Sequence, residues 1–198
     1  MELKEDTSLL SIILYSDSTT CDKFGKKNMY PIYITLGNLP HRIRNSLNAK
    51  TLLGYLPIVE TIPDESDLNL SSNKLKELYS EIKRKCFQDC MKILFSPLLN
   101  QYNTGTCIKL GNGLYKKVVI KLSCIISDFP EASSYCLTYK SYNCNMPCYS
   151  CIIPQYELNN IDEKYPNRTH SNMERGILED NDRYYSIFPL KNIFWDHW

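Results

Sequence analysis

Long apolar runs, net charge and histidine are what this sequence has least of. The run from Ser8 to Tyr15 is about eight residues long, where a membrane-spanning helix needs about twenty. It follows Glu2, Glu5 and Asp6 and ends at Asp17, whereas a secretory leader carries positive charge in front and small residues behind. Neither a membrane span nor secretion is expected, and the chain reads as nuclear or cytoplasmic. The 23 Lys and Arg nearly cancel the 22 Asp and Glu, leaving a net charge of +1. No global field therefore points to nucleic acid, membrane or an acidic partner, and any DNA binding must come from local patches and from chemistry. The three histidines, His41, His170 and His197, form no nucleophile constellation.

What is present is an ordinary globular composition in a chain of 198 residues, with 43% apolar and 23% charged residues. That length allows one domain with a sizeable core. Cysteine is abundant, and its count of nine is odd. A secreted disulfide framework is usually smaller and even-numbered, so reduced thiols are expected. Asn69-Leu-Ser71 and Asn167-Arg-Thr169 match the glycosylation pattern, which carries no meaning in a chain that is not secreted.

Leu9 to Tyr15 is apolar, rich in β-branched residues, and ends at the polar turn Ser16 to Thr20. This predicts a buried strand with Asp17 at its C-terminal end. Tyr30 to Leu36, closed by Gly37-Asn38, predicts a second strand, and Leu52 to Val59, interrupted by Pro57, a third. Their short polar connections suggest an antiparallel meander. Thr61 to Asn73 is acidic and polar and reads as a loop. The period then changes. Leu75, Leu78, Tyr79, Ile82, Cys86, Cys90, Ile93 and Leu94 recur at three- and four-residue steps. They predict an amphipathic helix of about twenty residues, capped by Ser71 or Ser72 and ended by Pro97. Thr106 to Leu110 and Leu114 to Ile120 flank Gly111-Asn112-Gly113, a hairpin signal. Val118 to Ile126 fits strand or buried helix by pattern. Its β-branched residues favour strand, and Pro130 forces a break beyond Asp128. Past Cys136 a polar stretch without clear periodicity runs to Asp182, followed by an aromatic segment from Tyr184 to Trp198.

Strand, strand, strand, helix, strand, with acids ending the first and the last strand, is the order of RNase H-like nucleases. In those, two or three carboxylates hold two Mg²⁺ ions about 4 Å apart. Asp17 and Asp128 are the candidate acids, and hard oxygen ligands suit Mg²⁺ or Mn²⁺. The plain alternative for both is that each caps a turn. Cys148 and Cys151 have the spacing of half a zinc site. Cys144 is close enough to join, and Cys136 or His170 could supply a fourth ligand; the alternative is a set of packed thiols. A redox reading needs a thioredoxin-like context that is absent. Cys86 and Cys90 share the apolar helix face and are expected in the core. Lys26-Lys27, Arg42 with Arg44, Lys83-Arg84-Lys85 and Lys116-Lys117 are small basic clusters that could contact phosphate if several converge.

Blocks of the chain resemble, in order, the Plavaka-type transposases of fungi, relatives of the CACTA and Kyakuja-Dileera-Zisupton elements. They are Ser16-Asp-Ser-Thr19 with Lys26-Lys27 and Tyr30 to Asn38; Leu52 to Pro57; Phe87 to Leu98; Ser127-Asp-Phe-Pro-Glu131; Cys148-x-x-Cys151; and Tyr185 to Pro189 with Asn192 to Trp195. The resemblance implies an α/β fold with an RNase H-like DDE transposase core, incomplete at its C-terminus, and a small cysteine-rich insertion. The implied division is residues 1–135 for the core, 136–183 for the zinc-type insertion and loop, and 184–198 for the start of a truncated C-terminal part. Asp17 would be the first catalytic acid and Asp128 the second, both binding Mg²⁺ or Mn²⁺. Cys144, Cys148 and Cys151 would hold a structural Zn²⁺. The parent activity would be metal-dependent cleavage and transfer of DNA at transposon ends. The family's later aspartate-x-x-histidine block and distant glutamate find no counterpart before Trp198, so little or no catalysis is expected of this chain. The alternatives are a nucleic-acid-binding module without catalysis, or a non-functional relic exposing Phe188, Phe194, Trp195 and Trp198.

Overall fold

The computed structural model describes residues 7–23, 27–59, 71–101 and 104–195, and the statements below concern these. Lys26, most of the Thr61 to Asn73 stretch, His197 and Trp198 lie outside them. The chain divides into two compact units. The first combines Met1–Glu60 with Cys90–Ser127, and the second Thr61–Asp89 with Asp128–Trp198.

The first unit is built on a five-stranded mixed sheet. The strands are β1 (Thr7–Ser16), β4 (Pro31–Leu36), β5 (Thr51–Tyr55), β6 (Thr106–Lys109) and β7 (Tyr115–Ile126), in the spatial order β5-β4-β1-β7-β6. A two-residue ribbon, β2 (Thr19–Thr20) with β3 (Asn28–Met29), stands between β1 and β4 in sequence. A single helical turn, α1 (His41–Arg44), and a 3₁₀ turn at Leu47–Ala49 lead into β5. The expected antiparallel meander is present, since β1 pairs antiparallel with β4, and β4 with β5. The ambiguous run from Val118 is strand. It pairs parallel with β1, from Thr7↔Lys117 to Tyr15↔Ile126, with one irregularity at Ile12/Ile13.

The turn after β4 is tied back to β1. The Asn38 side chain accepts from Ser11 N at 2.8 Å and donates to the Leu9 carbonyl at 3.0 Å, completing ladder bonds with an amide in place of backbone. Gly37 donates its N–H to the Ser11 carbonyl at 2.8 Å, and a Cβ there would come within 2.5 Å of Ser11 Oγ. Only glycine fits so close to the strand. At the hairpin between β6 and β7, Gly113 takes φ +85, and Leu114 N–H donates to Asn112 Oδ1 at 3.1 Å. One face of β1, by alternation, carries Ile12, Leu14 and Ser16, all buried. Ile32, Leu56, Met91, Phe95, Val118 and Val119 are also buried in this unit.

Helix α2 (Ser72–Gln101) starts where the Ser71 or Ser72 cap is expected and runs past the expected end. Its first bond runs from Leu75 N–H to the Ser71 carbonyl at 3.0 Å. Pro97 lies inside the helix and does not end it. Proline lacks the N–H that would bond Ile93 O, and Ser96 Oγ supplies a donor to that same carbonyl at 2.9 Å. The Pro97→Ala variant should therefore be more stable, by about 1–3 kcal/mol, read as a higher urea midpoint. A lower midpoint would mean that the proline ring itself contributes packing. Ile93, assigned to the apolar stripe, is 74% exposed, while Met91 and Phe95 are buried. Position 93 lies two residues from each, about 200° around the helix and so on the opposite face.

The second unit holds the part of α2 up to Asp89, then α3 (Phe129–Cys136), α4 (His170–Leu178) and α5 (Asp182–Tyr185). The polar stretch read as aperiodic thus contains a helix. Thr169 and Asn172 form a reciprocal capping box that starts α4, with Asn172 N–H to Thr169 Oγ1 at 3.2 Å and Thr169 N–H to Asn172 Oδ1 at 2.9 Å. Of the aromatic residues that the relic reading exposes, Trp198 lies outside the described residues. Phe188, Phe194 and Trp195 are half-buried, and Ile187 and Asn192 are buried. Phe194 lies 6.1 Å from Tyr135 and Phe188 4.8 Å from Tyr139, centroid to centroid. Arg84 stacks on Phe188 at 3.8 Å, Asn192 donates to the Tyr135 carbonyl, and Ile193 N–H donates to Gln88.

Candidate metal sites

Asp17 is the first residue after β1. It is exposed, and Tyr15 Oη donates to its Oδ2 at 3.4 Å. Asp128 follows β7 and is the N-cap of α3, where its Oδ1 accepts from Glu131 N–H at 2.9 Å. Pro130 in the first turn of α3 costs the helix nothing, because the N–H it lacks is one that the first turn leaves unpaired. The capping role is therefore real for Asp128, and it engages one carboxylate oxygen while leaving Oδ2 uncommitted. Each acid lies two positions beyond Tyr15 and Ile126, the last residues paired between parallel strands β1 and β7.

The second candidate site belongs to the second unit. Cys136 ends α3, and Cys144, Cys148 and Cys151 lie in the connection that follows. Cys148 Sγ accepts from Ser150 N–H at 3.3 Å and from Cys151 N–H at 3.4 Å. Cys144 Sγ is held by the Ser141 carbonyl at 2.8 Å. An isolated bridge, Cys151↔Asn167, closes the connection. All nine cysteines are free thiols, as expected. Among the described residues no three His, Cys, Asp or Glu side chains are already gathered as a metal cage. His170, considered as a fourth ligand, is tied through Nδ1 to the Trp195 carbonyl at 3.0 Å.

The residue that organises this connection is Arg168. Its Nε donates to the Cys148 carbonyl and its Nη2 to the Met146 carbonyl, both at 2.7 Å, while its backbone N–H donates to the Ser150 carbonyl at 2.8 Å. Its Nη1 is buried without a protein partner. Burial lowers its pKa, and the neighbouring Cys148, Cys144, Cys151 and Cys136 oppose that shift. Burial likewise pushes the Cys136 thiol up, against the pull of Arg168. Burial also raises Cys151, with Cys148 adding to the shift. Nothing in the sequence pattern singled out Arg168. Its one local signal, Asn167-Arg-Thr169, reads as a glycosylation pattern but serves to carry the α4 cap and this guanidinium.

The expected basic clusters divide by environment. Arg44 donates to the Gly37 carbonyl at 3.1 Å, Lys83 lies over the Tyr79 ring at 4.1 Å, and Arg84 lies over Phe188. These cations hold the fold together. No helix among the described residues is long and apolar enough to cross a membrane.

No curated protein matches the chain. The family model for the Plavaka transposase matches residues 1–198. The chain belongs to the Plavaka transposase family.

Proposed function

We propose that the chain carries the metal site of an RNase H-like DNA transposase, with Asp17, after β1, and Asp128, after β7, as its first two carboxylates. The observation that supports this most is the parallel pairing of β1 with β7, which ends at Tyr15↔Ile126 just before both acids. The third, second, first and fourth major strands stand side by side in that order, as β5, β4, β1 and β7. The edge strand β6 departs from a simple continuation, since it precedes β7 in sequence and pairs antiparallel with it. Carboxylate oxygens are the right donors for Mg²⁺ or Mn²⁺. When bound, such ions activate water or a 3′-hydroxyl and stabilise charge at phosphorus. DNA at transposon ends is the substrate class the family gives.

A zinc reading of the Cys148–Cys151 turn is supported by its neighbour Arg168. Four thiolates around Zn²⁺ leave a net charge of about −2, and the unpartnered buried Nη1 of Arg168 is a donor suited to that charge. In this reading Cys136 joins Cys144, Cys148 and Cys151, and His170 stays with Trp195. The zinc would be structural.

Calorimetric titration with Mn²⁺ tests the carboxylate pair. Asp128→Asn is the informative variant, because asparagine caps a helix as well as aspartate does, so α3 is kept while the charge is lost. Asp17→Asn and Asp128→Asn should each weaken Mn²⁺ binding about tenfold or more, and the double variant should lose little beyond either single one. Unchanged binding in both single variants would remove the carboxylate pair from the account.

A further inference from the structure

The stretch from Cys90 to Ser127 contains no aspartate or glutamate, and its charges are Lys92, Lys109, Lys116, Lys117 and Lys121. Strands β1, β4 and β5 carry no charge at all, so every charged side chain on the five-stranded sheet is a lysine of β6 or β7. Register places these lysines on the edge hairpin. Lys109 faces Tyr115, Cys107 faces Lys117 and Ile108 faces Lys116 across the two strands. By alternation Lys109 and Lys117 share one face of the ribbon and Lys116 lies on the other. Lys109, Lys116 and Lys117 are exposed, and none has a hydrogen-bond or ion-pair partner among the described residues. Leu114 and Tyr115 at the tip are 64% and 72% exposed, so nothing among the described residues covers it.

The β6–β7 ribbon is two-stranded at its tip, up to Lys117, where the pairing of β7 with β1 begins among the described residues, and such a ribbon fits the major groove of B-DNA, whose two walls are phosphate. Cations on both faces of such a ribbon meet both walls, and a sheet free of carboxylates adds no repulsion. We propose that the β6–β7 hairpin is a duplex-DNA docking element that binds the sugar–phosphate backbone through Lys109, Lys116 and Lys117, independently of any metal. The proposal takes its ligand class from the family reading above, but it does not need the carboxylate pair.

The test is fluorescence anisotropy with a random-sequence DNA duplex, in EDTA, across a series of salt concentrations. Removing the three lysines together (Lys109→Ala, Lys116→Ala, Lys117→Ala) should lower the slope of log K against log salt by about 1 per lysine. Affinity near 0.15 M salt should fall on the order of a hundredfold. The matching triple arginine variant should keep both slope and affinity, which separates charge from hairpin folding. Lys140→Ala with Lys164→Ala, in the other unit, should change neither. Asp17→Asn and Asp128→Asn should keep the full slope in EDTA, so a failed metal reading leaves this result standing. An unchanged slope in the triple alanine variant, binding confined to single strands, or no duplex binding by the wild type would each overturn the proposal.

Discussion

Replacing Arg168 by alanine is expected to cost about 3 kcal/mol of folding stability, a large effect for a residue outside the apolar core. The reason is the geometry of its two side-chain bonds. One planar guanidinium reaches the Cys148 and Met146 carbonyls, each at 2.7 Å. Met146 is itself buried, so its carbonyl has no ready access to replacement water. Alanine leaves both acceptors unpaired, and the full cost of desolvation then falls on the folded state. Arg168→Lys should recover less than half of the loss, because an ammonium is a point charge and cannot span two acceptors in the manner of a rigid fork. Urea unfolding followed by tyrosine and tryptophan fluorescence reads the difference. A cost under about 1 kcal/mol for alanine would show that solvent can satisfy the loop and that Arg168 does not organise it.

The second large effect concerns zinc. If the four cysteines hold the ion, its binding energy is also folding energy for the second unit, as in other small zinc modules. Cys148→Ser should abolish stoichiometric zinc in the purified chain, and should lower the unfolding midpoint as much as a strong chelator lowers that of the wild type. Cys148 is the sharpest choice because its sulfur accepts two backbone N–H groups, from Ser150 and Cys151. Cys21→Ser serves as the control, since Cys21 is exposed and belongs to the other unit. Zinc content below about 0.1 per chain in the wild type, with no chelator effect, would return these residues to the status of packed thiols.

The sheet was legible where short apolar runs ended in strong turn chemistry. Gly37-Asn38 and Gly111-Asn112-Gly113 closed strands at positions that the structure keeps. The parallel pairing of β7 with β1 is not readable from periodicity, because the alternation is lost where Val118 and Val119 are buried in succession. Pro97 misled for a local reason, since a neighbouring hydroxyl at Ser96 replaces the missing donor. Helix α4 was hidden because nine residues are too few for a periodic stripe, and its start is set by the Thr169–Asn172 cap. Of the candidate sites, the acids and the cysteine pair could be read as residue types at spacings. The Asp128 cap was visible only as an alternative, and Arg168 was not visible, because its partners are carbonyls about twenty residues away in sequence. Tertiary contacts of that kind leave no short-range pattern.

The central claim is that the strand-end acids Asp17 and Asp128 serve one metal site. Anomalous diffraction from crystals soaked in Mn²⁺ addresses it most directly. The account predicts a manganese peak liganded by both carboxylates in the wild type and no such peak in Asp128→Asn crystals, where α3 remains capped. Manganese bound elsewhere, or a peak on one acid that survives loss of the other, would contradict it.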